Sequence, residues 1–366
     1  MCQPAHWYNC FTAEFMTHFS LQKSVYVLLF LFGSIAGLVY AKPFLVPLAF
    51  GALVAMLLLP INSWLERKGF GKVWAILTSI LSLLVILAGI IWLITWQVGD
   101  IASNSTEIEK NLTEKVAQLK QSISTSFGVS PQKQQEMLQK QQAGSGSKVS
   151  SMAMGFLSAA GGFLTSFLLV MVYTFLLLFS RDHLKQAALK LVKREKQAEA
   201  SDIIMQCSKV TQKYLTGLGI MILGLWIMYG IGFSIVGVKN AIFFAILCGL
   251  LEIVPFVGNL AGTGITLLAS MAQGGSSTMI IGILVTYAVV QFIQTYILEP
   301  LVVGDKVAVN PLFTIVGIIA GELIWGVPGM VLAIPALGML KIVCDRVPPL
   351  QPYGFLLGTE KKEKKK

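Results

Sequence analysis

Asn240 to Met271 reads NAIFFAILCGLLEIVPFVGNLAGTGITLLASM, apolar throughout yet broken in its middle by Pro255, Gly258 and Asn259. A straight membrane helix carries no such break. Moved forward by 70 positions the pattern returns, with Asn240 falling on Asn310, Phe243 on Phe313 and Glu252 on Glu322. In this second copy, NPLFTIVGIIAGELIWGVPGMVLAIPALGM, the break lies at Trp325, Gly326, Val327, Pro328 and Gly329, again just after the glutamate. Each copy is expected to fold as a helical hairpin with a carboxylate about one turn before its tip. Pro255, Gly258, Asn259, Gly326, Pro328 and Gly329 are assigned to tip geometry, because Gly and Pro shape a helix break whatever lies beside it.

The arms, Ala241 to Val257 and Leu312 to Trp325, are short against the roughly 20 residues a helix needs to span a bilayer. Two re-entrant hairpins with tips near the bilayer centre are therefore expected. Non-helical backbone is tolerated there only when it is buried in protein or lines a wet cavity. Glu252 and Glu322 are candidates for ion coupling, since an intramembrane carboxylate is costly and usually lines a pathway. The plainer role is hydrogen bonding to backbone groups freed at each tip.

The whole chain agrees with a polytopic all-helical membrane protein: 366 residues, 55% hydrophobic, 13% charged, mean hydropathy +0.73. A net charge of +10 comes from 28 Lys and Arg that mostly flank apolar runs. Positive-inside topology explains that excess, and no aromatic-interleaved basic groove suggests nucleic acid. The cysteines Cys2, Cys10, Cys207, Cys248 and Cys344 are scattered and lack ligand spacing, so neither disulfide, metal nor other cofactor is expected. MCQPAHWYNC does not read as a cleaved signal peptide.

Five regions follow in order. Residues 1–97 hold three apolar runs, Val25 to Tyr40, Pro43 to Ile61 and Val73 to Trp96, with the basic loop Asn62 to Lys72 between the last two. Residues 98–150 form a polar insert, where Ile108, Leu112, Val116, Leu119 and Ile123 follow helical spacing and Asn104 and Asn111 open N-x-Thr triplets. Residues 151–213 combine a fourth span with a segment expected to form one basic amphipathic helix, whose eight Lys and Arg lie between Ser180 and Lys213. Residues 214–345 contain two helix-plus-hairpin units, and 346–366 end in the basic tail EKKEKKK. Within the repeat region Gln291, Gln294 and Tyr296 are candidate pathway groups, because amides at such depth need partners.

Counting spans from the cytoplasm puts both termini inside and relates the two units as an inverted repeat, the device secondary transporters use to alternate access to a midplane site. Eight full spans with broken helices would return the tail to the same side. An enzyme is not expected: HExxH and Walker A patterns are missing, and His6, His18 and His183 fall outside the spans.

The stretches PLAFGALVAMLLLPINSWLERKGF, FLLLFSRD (Phe175 to Asp182), LEIVPFVG (Leu251 to Gly258), QTYILEPLVVGDKVAVNPL (Gln294 to Leu312) and GVPGMVLAIPALGMLK (Gly326 to Lys341) together resemble the autoinducer-2 exporter family of PerM-type permeases. That resemblance spans nearly the whole chain. It implies an inner-membrane transporter, with autoinducer-2 export or sodium/proton antiport among members, and a homo-oligomer, with a pentamer as the suggested number. Phe256 and Asn259 stand where the family commonly has tyrosine and a second proline, so no role of that tyrosine carries over.

Overall fold

A computed structural model describes residues 21–103, 145–254, 257–303 and 309–359. Most of the polar insert with its helical stripe and triplets, Pro255 and Phe256 at the first tip, and the lysine tail lie outside the described residues.

The described chain is helical. Its elements are α1 (Leu21–Tyr40), α2 (Lys42–Arg67), α3 (Lys72–Ser103), α4 (Ser145–Lys190), α5 (Gln197–Val236), α6 (Ala241–Leu251), α7 (Val257–Ala272), α8 (Ser277–Ile293), a π-helix (Gln294–Val303), α9 (Pro311–Trp325), α10 (Val327–Arg346) and α11 (Gln351–Leu357). Six segments among the described residues are long and apolar enough to cross a membrane: Lys42–Arg67, Lys72–Leu93, Leu164–Lys190, Arg194–Val236, Ser277–Glu299 and Val327–Arg346. The outer surface is correspondingly apolar, with residues such as Phe30, Val85, Ile227 and Phe292 more than half exposed. In water so large an apolar surface would drive aggregation, whereas in lipid it is the solvated face.

Two packed clusters hold the bundle. Ala55 and Leu58 of α2, Ile76 and Ile80 of α3 and Leu178 of α4 form one. The other joins Leu225, Tyr229 and Phe233 of α5 to Phe243 and Phe244 of α6 and to Ile283 and Val290 of α8. Helices meet closely where side chains are smallest, as where Gly51 of α2 lies against Tyr173 of α4 and its carbonyl accepts from Thr174 at 3.3 Å.

The FLLLFSRD stretch ends in a polar clasp across the first cluster. Arg181 of α4 reaches Glu66 of α2 at 2.5 Å, Asn62 donates to the same carboxylate at 3.1 Å, and Lys72 pairs with Asp182 at 2.9 Å. Truncating one member of a largely desolvated pair strands the other. Arg181→Ala is therefore expected to destabilise the protein by roughly 1–3 kcal/mol, read as a lower melting temperature in detergent. The double variant Glu66→Ala/Arg181→Ala should cost less than the two single costs added together.

The expected basic surface helix takes another form. α4 runs on through Lys190, the chain turns at residues 191–193, and α5 sets out again at Gln197, so the basic segment forms the ends of two long helices. Leu184, Ala188 and Leu191 look like one stripe in sequence, but an apolar span already winding as a helix continues past its end at little cost.

Both expected hairpins fold back on themselves. In the first, Cys248 of α6 meets Thr266 of α7 at 3.6 Å, and Gly258 lies so close to the Leu251 carbonyl that an added Cβ would sit 1.7 Å from its oxygen. In the second, Gly321 of α9 lies against Gly329 of α10, and Gly317 against Leu337. Gly326 makes this turn at φ 71° and ψ −148°, a conformation essentially reserved for glycine, and Pro328 starts α10 with its φ already set. The arms are unequal: α9 has 15 residues, but α10 has 20 and is long enough to span. The repeated asparagines also differ, since Asn310 caps α9 by accepting from Leu312 N–H at 3.0 Å, whereas Asn240 adopts a left-handed conformation without a side-chain cap.

Candidate functional site

α6 stops at Leu251, and Glu252 is its C-cap, with its N–H on the Cys248 carbonyl at 3.2 Å. The Glu252 side chain is half-buried and accepts from Gln294 Nε2 at 2.7 Å. Gln294 is 1% exposed, and its own Oε1 is buried without a partner among the described residues. The π-helix starts at this residue. Pro300 falls within this segment, and a proline has no N–H to give to an α-helical turn.

One π-turn after Gln294 stands Glu299, which approaches the same amide and lies within electrostatic reach of Glu252. Two carboxylates thus lie near one neutral amide, which donates to Glu252, while Glu299 is the more exposed of the two. Such an arrangement can hold a proton or a small cation, whose positive charge offsets the repulsion between the acids.

A second, uncharged chain of hydrogen bonds lies beside the first. Tyr229 of α5, 1% exposed, donates to Asn259 Oδ1 at 2.8 Å; Asn259 Nδ2 donates to Gln291 Oε1; and Gln291 Nε2 donates to Thr295 at 3.1 Å. Gln291 and Gln294 are three residues apart and share a helix face, which places the charged and neutral networks side by side.

The candidates from sequence separate accordingly. Glu252, Gln291 and Gln294 come together, and Asn259 joins them as a hydrogen-bonding group in addition to its place at the tip. Tyr296 points elsewhere: it is 68% exposed and packs on Phe292. Glu322 lies on α9, its side chain exposed, while its backbone carbonyl accepts from Gly326 N–H at 2.7 Å. Glu252 and Glu322 are not brought together; the acid within electrostatic reach of Glu252 is Glu299. The reason is topological: the first hairpin packs on α5 through α6, the second packs on α5 through α10, and α9 faces α10 and α1. Glu299 escaped the sequence reading because it begins a stretch, EPLVVGDKVAVNP, that looks like a connection. Thr263 escaped it as well, although its i+4 spacing from Asn259 was visible.

Residues 26–348 match the AI-2E family transporter family. YrrI of Bacillus subtilis (strain 168) is 22% identical over 308 residues, covering 82% of this chain and 86% of that protein. YhhT of Escherichia coli (strain K12) is 22% identical over 326 residues, covering 88% of this chain and 90% of that protein. Both are named as transport proteins. With a match over most of its length and six apolar segments of spanning length, the chain belongs to the AI-2E transporter family and is a multi-pass membrane protein.

Proposed function

We propose that this protein is a secondary transporter that exports a small polar solute such as autoinducer-2, coupled to proton or sodium movement through its intramembrane glutamates. The observation that carries this reading is Glu252, held by a buried glutamine at a helix break, with Glu299 within electrostatic reach. A carboxylate's protonation responds to its surroundings, so wetting that differs between inward- and outward-facing states would load and unload it. The neutral chain from Tyr229 to Thr295 offers donors and acceptors suited to an uncharged, hydroxyl-rich solute.

In this reading the two hairpins are re-entrant and the units of residues 214–345 are inverted repeats, moving against each other around a fixed site. The 20-residue α10 favours full crossing for one arm and so keeps the eight-span arrangement as the alternative. Both termini are cytoplasmic and the protein resides in the inner (plasma) membrane. A homo-oligomer, a pentamer on family resemblance, would cover α9, where the carboxylate of Glu322 is otherwise exposed on an apolar helix.

A second reading, sodium/proton antiport, is favoured by the paired acids. Proteoliposomes loaded with autoinducer-2 and placed under sodium or pH gradients separate the cases. Gradient-accelerated efflux is the expected result. Sodium/proton exchange without solute would establish the antiporter, solute flux indifferent to both gradients an uncoupled channel, and no flux of any of them a membrane scaffold.

A further inference from the structure

The helix α7 is amphipathic with its faces reversed. Val257, Leu260, Ile265 and Leu268 are 54%, 65%, 44% and 61% exposed, whereas Asn259, Thr263, Thr266 and Ser270 are between 0% and 5% exposed. The inward residues repeat at intervals of four, three and four, which keeps them on one face. An inward polar face is expensive in a membrane bundle unless its groups are paired.

Only part of this face is paired by protein. Thr266 donates to the Gly262 carbonyl at 2.8 Å, and Asn259 belongs to the Tyr229–Gln291 chain. Among the described residues the hydroxyl of Ser270, 2% exposed, has no hydrogen-bond partner, and neither it nor the hydroxyl of Thr263, 4% exposed, bonds the carbonyl one turn earlier that such residues commonly use. Thr263 lies beside the Tyr229 phenol, and Ser270 lies at the turn, where its carbonyl accepts from Gly275 N–H at 2.9 Å. Successive inward groups are about 4.5–6 Å apart along the axis, close to the length of two water–water hydrogen bonds.

We propose that the inner face of α7 is a water-filled path running from the turn at Gln273 to Gly275, past Ser270, Thr266 and Thr263, to Asn259 and the Glu252–Gln294 site. Water bonded to Ser270 and to a second of these groups satisfies the hydroxyl that the protein leaves open. The path gives the buried carboxylate a route for protons or small hydrophilic ions from one side of the membrane. It deepens the transport reading and rests on it for its purpose, but its hydration stands or falls by itself.

The native chain contains a reporter, because Cys248, which shares the apolar cluster with Ala245, turns its Sγ to Thr266 Oγ1 at 3.6 Å. In membranes holding the full-length protein with Cys2, Cys10, Cys207 and Cys344 replaced by serine, Ag⁺ serves as a water-sized thiol probe. Protection from later maleimide labelling in denaturant gives the rate. Parallel chains carry Thr263→Cys, Ser270→Cys or, as a dry reference, Ala245→Cys, each with Cys248→Ser; Ala245 is 1% exposed in the apolar cluster. A dry thiol reacts only through rare local opening, so Cys248, Thr263→Cys and Ser270→Cys are expected to be protected about 100-fold faster than Ala245→Cys. Equal rates at Cys248 and the Ala245→Cys reference would overturn the path, and Cys248 keeps the test decisive if a variant fails to fold. Protection in a protein that carries no solute or ion would refute the transport reading and keep the path. Coupled transport without protection would do the reverse.

Discussion

Replacing Gly329 by alanine is expected to open the second hairpin and to leave little monodisperse protein after extraction. The added Cβ would stand 1.9 Å from the Gly321 carbonyl oxygen, and Gly321→Ala would place its own Cβ 2.4 Å from the Gly329 oxygen. Both obstructions are backbone, which cannot rotate aside as a side chain can. α9 and α10 would have to separate along their length, with a cost of about 3 kcal/mol or more, at the upper end for overpacking. Gly258→Ala should behave alike at the first tip, since Leu251 O is only 1.7 Å away. The control is Gly264→Ala on α7, where nothing lies within 4 Å. There alanine should be neutral or stabilising by up to about 1 kcal/mol. Size-exclusion profiles and melting temperatures of the four variants check this, and a well-behaved Gly329→Ala protein with an unchanged melting temperature would contradict the close approach.

The second large effect concerns transport. Glu252→Gln preserves shape and keeps a partner for Gln294 while removing the charge. Solute-coupled flux in proteoliposomes is expected to fall at least about tenfold, near 1.4 kcal/mol in barrier terms, and the remainder should lose its dependence on pH. Glu299→Gln should produce a similar loss, because Glu299 lies within electrostatic reach of Glu252. Glu322→Gln should stay within about twofold of wild type, since its side chain is exposed away from that amide. Wild-type rates and pH dependence in both Glu252→Gln and Glu299→Gln would remove these carboxylates from coupling. A defect in Glu322→Gln as deep as that in Glu252→Gln would instead assign the work to the α9 face.

Much of this architecture was legible in the chain itself. The offset of 70 located both fold-back points, because Gly and Pro leave a helix few alternatives. The association of Glu252 with Gln294 was foreshadowed only as a need for partners. What periodicity could not reveal was the pairing of distant segments. Glu299 reaches Gln294 because a π-helix winds the chain more widely than the α-helical spacing assumed. Tyr296, two residues from Gln294, falls on the opposite face of the helix and is exposed, which plain helical spacing already implied. Asn259 looked like a turn residue by composition, yet it is joined to Tyr229 thirty residues away, a contact that only the packing of α5 on the first hairpin creates. The reversed faces of α7 were hidden by its glycines and its overall apolarity.

The 40 residues of α5 span about 60 Å, twice the hydrocarbon thickness of a bilayer. This single rod touches both fold-back units within the bilayer and projects well beyond it. A lever of that kind turns a small tilt at its middle into a larger swing at its far end, where Asp202 pairs with Arg346 of α10 at 3.2 Å. A fluorophore on exposed Met205 would accordingly register rearrangements happening tens of ångströms away, and anything gripping that end could hold the machinery still.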